Sequence, residues 1–268
     1  MKTRQAYPTD LTDAQWERDA QWERLEPYLP AESTDCRPRE VSTRDILDAY
    51  FYLLRAGCSW RMLPHDLSKW KTVYSQVRRW TQAGVWEAMH ARIRDDVRLE
   101  VAGKLTEPSA AALDSQTVKA ADHAGPRGYD AGKKSSGRKR HVLVDLTGLL
   151  LALVVTTADV QDRDGAKRVL RDARGWWARL RVIFADGGYA GQLIEWVKRV
   201  CGWQVQTVLR PKDAIGFVPL AKCRVVERTF GWLTKYRRLV KDYEAGIEMS
   251  EAMIYAALTH RMLRRLCP

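Results

Sequence analysis

Residues 182–191 read VIFADGGYAG and residues 111–118 read AALDSQTV. In each, a short apolar run bounded by polar residues or glycine carries the pattern of a buried strand and ends in an aspartate, Asp186 or Asp114. Each carboxylate is therefore expected where a strand emerges at the edge or end of a sheet. A lone aspartate there is equally a turn former or helix cap. The Gly187-Gly188 bend directly after Asp186 favours a ligand, because glycine lets backbone approach closely. A third carboxylate, Glu227, stands in residues 224–233, RVVERTFGWL, whose apolar positions recur at helical spacing. Acids gathered from distant positions supply the hard oxygen ligands that Mg²⁺ and Mn²⁺ prefer.

The surroundings of these acids are basic. The 268-residue chain has a formal net charge of +12 and a pI near 9.6, which favours a polyanionic partner or an acidic membrane surface. An acidic metal site inside a positive protein points to an enzyme that cuts or joins nucleic acid. Hydrophobic residues make up 46 %, enough for a sizeable core, and nothing reads as globally disordered. Cys36, Cys58, Cys201, Cys223 and Cys267 form no CxxC pair and are odd in number, so they read as reduced thiols. The first residues hold no apolar signal segment, and the longest apolar run, 149–155, is too short to span a bilayer. A cytoplasmic protein without a membrane partner is expected.

The chain divides near residue 105. Residues 1–104 read as all-α: Ser42 or Thr43 caps a helix that Gly57 ends, Ser68 caps a second that ends at Gly84, and a third runs from Val85 to about Val101. Short helices joined by GCSWRMLPHD resemble a helix-turn-helix. Lys69, Lys71, Arg78 and Arg79 then face phosphates, or are solvated positions on an ordinary bundle. Upstream, DAQWER occurs twice, at 13–18 and 19–24. In one continuous helix the six-residue shift turns the second copy by about 240°. Trp16 and Trp22 cannot share a packing role, and the repeat reads as a local duplication lengthening a tolerant helix end.

Residues 105–268 alternate strand and helix signals and predict an α/β domain with a five-stranded mixed sheet. The strands are expected at 110–113, 141–146, 149–157, 182–185 and 205–209, the second and third joined by Thr147-Gly148 as a hairpin, and Arg210-Pro211 closing the last. Helices are expected over 164–177 and 191–200, around Glu227, and over 250–266. The basic stretch Lys133, Lys134, Arg138, Lys139 and Arg140 is a solvated turn or a DNA contact. Around Glu227, Arg224, Gly231, Thr234 and Arg238 share its helix face. They form either an ion-paired solvated surface or a metal ligand flanked by phosphate-binding arginines. His141 reads as structural. Asp122, Asp130, Asp145, Asp159, Asp162 and Asp164 are left outside the metal site: Asp145 belongs to the hairpin turn, and Asp162 and Asp164 to a helix start. No nucleotide-binding glycine motif occurs.

Segments 113–145, 156–167, 184–191, 225–244 and 250–266, with 57–80 and the second DAQWER copy through Pro30, closely resemble bacterial insertion-sequence transposases of the DDE class, the "insertion sequence five" group. The resemblance covers nearly the whole chain. It implies an RNase H-like catalytic domain at 105–268, preceded by a DNA-binding domain at 1–104 that recognises terminal inverted repeats. It implies Asp114, Asp186 and Glu227 as catalytic acids holding two Mg²⁺ ions, with Mn²⁺ able to substitute. It further implies double-stranded DNA as partner at the element ends and the target, an oligomer of at least two copies, and a nucleoid-associated location. Asp186 and Glu227 are 41 positions apart (227 − 186), so the large insertion that some relatives carry there is absent. The family's arginine and lysine around the glutamate are each displaced by one residue here: Cys223 and Thr234 hold their places, and Arg224 and Lys235 follow. A nuclease without strand joining and a non-catalytic DNA-binding protein are the other readings.

Overall fold

The computed structural model describes residues 5–11, 21–31, 40–122, 125–208 and 224–267. The first DAQWER copy, Trp16, Cys36, Cys223 and Arg210-Pro211 lie outside them. The chain forms two compact units: Met1–Lys104 with Thr234–Val240 and Ala252–Pro268, and Leu105–Leu233 with Lys241–Glu251.

The helical unit contains α1 (Gln21–Leu25), α2 (Thr43–Ala56), α3 (Trp70–Gln82) and α4 (Val85–Asp96), the last running on as a π-helical turn, Val97–Val101. Ser42 caps α2, its hydroxyl accepting from the Asp45 N–H at 3.0 Å, and Gly57 closes the helix at φ 74°. At α3 the expected cap shifts: Lys69, not Ser68, is the N-cap, and no side chain bonds the first turn. The core is aromatic, with Trp86 against Tyr50 (4.9 Å between centroids) and Trp80 (5.6 Å).

Two later segments, Thr234–Val240 and Ala252–Pro268, group with these helices rather than with the sheet. Phe51 of α2 stacks on His260 at 4.6 Å, and the Tyr236 hydroxyl lies 3.1 Å from His260 Nδ1. The imidazole is neutral there: burial, with Arg264 and Arg55 adding to it, pushes the His260 pKa down to about 3. A buried neutral imidazole fits an aromatic core, where the charged form would be costly.

The sheet unit runs β1 (Ala110–Lys119), β2 (Gly128–Asp130), β3 (Ser135–Asp145), β4 (Leu150–Thr157), α5 (Asp162–Ala173), β5 (Val182–Asp186), α6 (Gln192–Cys201), β6 (Gln204–Val208), α7 (Arg224–Leu233) and the start of α8 (Ile247–Leu266). β1 pairs antiparallel with β3 and parallel with β5, and β6 lies parallel beside β5. The far edge of β3 is shared: β2 pairs with its first residues and β4 with Arg138–Val144. This mixed sheet has the RNase H-like arrangement. It holds six strands rather than five, because the Gly-Lys stretch contains the three-residue β2. β1 and β3 also extend further than their apolar cores suggest, pairing as far as Lys119 with Gly137.

Successive side chains on a strand point to opposite faces. Ala111 and Leu113 of β1 and Ile183 and Ala185 of β5 pack with Ala166, Val169 and Leu170 of α5 and Leu193 and Val197 of α6. The opposite face carries Ala112, Asp114 and Gln116, and α7 packs against β1 and β3. There Arg138, fully buried, donates to Asp242 Oδ1 (3.0 Å) and to the carbonyls of Pro126, Ala245 and Gly246. Asp242 also accepts from the Glu244 N–H and the Ser250 hydroxyl. Removing one partner of a buried, hydrogen-bonded pair leaves a desolvated charge behind. Asp242→Ala is expected to lower the unfolding free energy by about 3–5 kcal/mol in urea titration, whereas Asp122→Ala at the exposed surface should change it by under about 0.5 kcal/mol.

Candidate active site

Asp114 and Asp186 come together through strand register. Ala112 of β1 is level with Phe184 of β5, so two residues further along each strand lie Asp114 and Asp186. By strand alternation both carboxylates belong to the face opposite α5 and α6. Asp186 ends β5, as expected, and its Oδ1 accepts from the Gly188 N–H at 2.9 Å, starting a 3₁₀ turn over Gly187–Tyr189. A Cβ on Gly188 would sit 3.0 Å from that oxygen, which accounts for glycine in the bend. Asp114 is mid-strand rather than at a strand end, and its Oδ1 accepts from the Ser115 N–H at 2.7 Å.

Burial pushes the Asp114 carboxyl up to about 6; the Ser115 N–H works against this, Asp186 reinforces it, and Lys133 offsets part of it. Two hard oxygen donors that repel one another, one of them desolvated, are the donor chemistry that a divalent cation fits. Glu227 is exposed in the first turn of α7. Among the described residues no three His, Cys, Asp or Glu side chains lie close enough to hold one metal ion. The helix of Glu227 is anchored to the β3–β4 turn: Arg228 Nη2 donates to the Thr147 carbonyl (2.9 Å) and Thr229 Oγ1 to the Gly148 carbonyl (2.8 Å). Asp145 shapes that turn, its Oδ1 accepting from the N–H groups of Thr147 and Leu149 and from the Thr147 hydroxyl. α7 ends at Leu233, so Thr234, Lys235 and Arg238 do not share a helix face with Glu227.

Four cations expected at phosphates are internal. Arg138 is the buried partner of Asp242. Lys139 is buried between Asp162 (3.0 Å) and Asp130 (3.3 Å) and also donates to the Val160 carbonyl (2.9 Å). Arg140 is buried, donates to Gln116 Oε1 at 3.3 Å, and has its pKa pushed down to about 10 by burial. Arg238, also buried, donates to the Cys58 carbonyl at 3.0 Å within the helical unit. For the first three the reason is common: β3 begins at Ser135, so the basic run is a paired strand whose acceptors are remote in sequence. Lys133, Lys134, Arg224 and Lys235 are exposed, as are Lys69, Lys71, Arg78 and Arg79 of the helical unit. There Arg61 and Lys71 lie 5.6 and 5.8 Å from the Trp70 ring centroid, beside a groove of about 430 Å³.

His141 is structural. It is buried with Nε2 3.0 Å from Thr156 Oγ1, Gly165 packs beneath its ring, and burial pushes its pKa down to about 4. Three polar residues that the sequence did not single out lie beside the aspartates. Ser115 donates its hydroxyl to Asp162 Oδ1 at 2.8 Å. Tyr189, buried, has its phenol pKa raised by burial and by Asp114. Arg163 Nε donates to the Gly188 carbonyl at 2.8 Å. Asp162 resists the burial that would raise its pKa, because hydrogen bonds from Lys139 and Ser115 hold it below the usual range. For Ser115 and Tyr189 the one legible signal is position, next to Asp114 or three residues after Asp186.

Comparison with known proteins bears on the whole chain. A family described as "Transposase DDE domain" matches residues 105–262, and one described as "Putative transposase of IS4/5 family" matches residues 18–90. "Uncharacterized protein y4sN" of Sinorhizobium fredii is 34 % identical over 83 residues, 31 % of this chain and 66 % of that protein. The "Insertion element IS402 uncharacterized 16.2 kDa protein" of Burkholderia cepacia is 30 % identical over 112 residues, 38 % of this chain and 71 % of the relative. The "Putative transposase for insertion sequence element IS402" of the same organism is 31 % identical over 138 residues, 48 % of this chain and 64 % of the relative. The chain thus spans about two thirds of the length of each of these curated relatives. With the larger match covering more than half of its residues and the aspartate pair on adjacent strands of an RNase H-like sheet, the chain belongs to the DDE transposase family of the IS4/5 group.

Proposed function

We propose that this chain is the transposase of an insertion sequence: it binds the terminal inverted repeats, cuts at the element ends and joins them to target DNA. The observation that carries this reading is the carboxylate pair Asp114–Asp186 on adjacent strands, with Asp114 desolvated, in a protein of net charge +12. Asp114 and Asp186 would hold Mg²⁺, or Mn²⁺ in its place, with Glu227 supplying the third carboxylate from α7. Bound there as two ions, the metal would lower the pKa of the attacking water or 3′-hydroxyl and stabilise the leaving oxygen. Cutting and joining need the same protein groups, because only the nucleophile changes.

The chain's own residues would do the remaining work. Lys133, exposed and near enough to favour the charged form of Asp114, would meet a scissile phosphate from the solvent side. Arg224 and Lys235 would contact DNA backbone near Glu227. Lys69, Lys71, Arg78 and Arg79 would bind duplex phosphates at the terminal repeats, with the Trp70 groove beside them. Joining two ends requires at least a dimer. No described helix is long and apolar enough to cross a membrane, which accords with work on DNA in the nucleoid.

Three measurements test this reading. Purified protein, inverted-repeat DNA, a plasmid target and Mg²⁺ should give joined product, and Asp186→Asn should reduce it by at least about 10²-fold, more than outer-shell losses at metal sites. Cleavage without joining would select the nuclease reading, and specific binding with neither reaction would leave a DNA-binding protein. Lys69→Glu with Lys71→Glu should weaken duplex binding and lower the magnitude of the salt slope by about 2, one for each phosphate that a lysine no longer neutralises.

The third measurement concerns Asp114 and pH. Its folded pKa lies above the unfolded value, so the native state holds the proton longer and stability falls as pH rises from about 4 to about 6. Asp114→Asn should match the metal-free wild type near pH 4 and exceed it by about 2 kcal/mol at pH 7 in denaturant titration. An equal gain at both pH values would remove desolvation as its cause.

A further inference from the structure

The first two residues of α5 grip both aspartate segments at once. Asp162 Oδ1 accepts the Ser115 hydroxyl at 2.8 Å, and Ser115 follows Asp114 on β1. Arg163 Nε donates to the Gly188 carbonyl at 2.8 Å, and Gly188 is the residue whose N–H bonds Asp186. Tyr189, buried in the turn after Asp186 and close to Asp114 and Ser115, lies between the two grips. Ser115 gives its hydroxyl proton to Asp162. Lys139 Nζ holds the same Asp162 oxygen at 3.0 Å, and also pairs with Asp130 and donates to the Val160 carbonyl. The grips lie on the α5 face of the sheet, the face opposite the aspartate carboxylates.

A metal site needs its ligands held in place before the ion arrives, and groups behind the ligands normally do this. The β1–β5 ladder alone does not reach the aspartates, since the paired positions stop at Ala112 and Phe184. Beyond that point Asp114 stays paired with β3 and Asp186 with β6, and no β1–β5 pair spans the two carboxylates directly. We propose that Asp162 and Arg163, through Ser115, Gly188 and Tyr189, form a bracket that sets the separation of Asp114 and Asp186. This rests on the reading of the aspartates as a metal site. It makes Ser115, Asp162, Arg163 and Tyr189 positioning residues, none of which touches the metal or DNA.

The test is Mn²⁺ binding followed by electron paramagnetic resonance, beside hydrogen exchange of the metal-free full chain. Ser115→Ala and Arg163→Ala should each weaken Mn²⁺ binding by about 10–100-fold, the range for groups behind metal ligands. Ser115→Thr, which keeps the hydroxyl, should recover affinity to within about threefold of wild type. In Arg163→Ala the Gly188 amide should exchange faster without metal, while the amides of α6 keep their protection. Arg163 is exposed, so this variant folds even if Asp162→Ala does not. Unchanged Mn²⁺ affinity and unchanged Gly188 exchange in both alanine variants would overturn the bracket. So would an affinity loss in Ser115→Ala that Ser115→Thr does not recover. Asp114→Asn separates the two readings. If it binds Mn²⁺ as tightly as wild type, the metal-site reading fails and the bracket fails with it. If it loses Mn²⁺ while the bracket variants keep it, the bracket alone fails.

Discussion

Everything around the aspartates depends on where β1 sits. It is hydrogen-bonded to β3 along its whole length on one side and to β5 over its first residues on the other. The parallel register brings Asp186 level with Asp114, and the pleat then assigns the rest. Even-numbered positions of β1 turn to the face that α7 covers, and odd-numbered positions turn to α5 and α6. Leu113, Asp114 and Ser115 are consecutive, yet one fills the core, one faces the proposed metal and one is gripped from behind. A shift of the ladder by one residue would exchange these roles.

Charge in this protein is divided between surface and interior. The formal charge of +12 suggests a polyanionic partner, but Arg138, Lys139 and Arg140 contribute nothing to an outward field. Arg138 is neutralised by Asp242, and Lys139 by Asp130 and Asp162. Asp130 gains in turn: a hydrogen bond from Thr117 outweighs burial, and with Lys139 it holds the carboxyl down at about 2. Buried charges persist when they are paired and hydrogen-bonded, and Arg138 and Lys139 draw their acidic partners from β2, α5 and the 241–251 segment. The expected cations that stay exposed are Lys69, Lys71, Arg78, Arg79 and Lys235 of the helical unit, Lys133 and Lys134 of the β2–β3 turn, and Arg224 of α7.

The sequence disclosed what local patterning controls. Ser42 and Gly57 bounded α2 because a cap and a left-handed glycine are local chemistry, and Thr147-Gly148 marked its hairpin for the same reason. The aspartate pair was visible because each follows an apolar run that only a buried strand explains. What stayed hidden needs partners far along the chain. The basic run at 133–140 looks solvated until Asp242, 104 positions from Arg138, is brought beside it. Ser115 and Arg163 look like ordinary polar residues until the turn after Asp186 meets them. Residues 234–240 and 252–268 were read with the sheet because they follow it, and only the aromatic packing of Tyr236 and His260 assigns them to the helices.

The β3–β4 turn has a second role beyond reversing the chain. Asp145 fixes its conformation, and the carbonyls of Thr147 and Gly148 are the acceptors on which Arg228 and Thr229 land, 81 positions later in each case. Those two carbonyls hold fixed positions only once the hairpin has closed, so the landing site of α7 does not exist before then. The hairpin therefore acts as a template: the helix bearing Glu227 takes its rotational setting from the turn. In evolutionary terms, a short connection of the sheet is then one with little freedom to change its length, because an added residue would turn a remote glutamate.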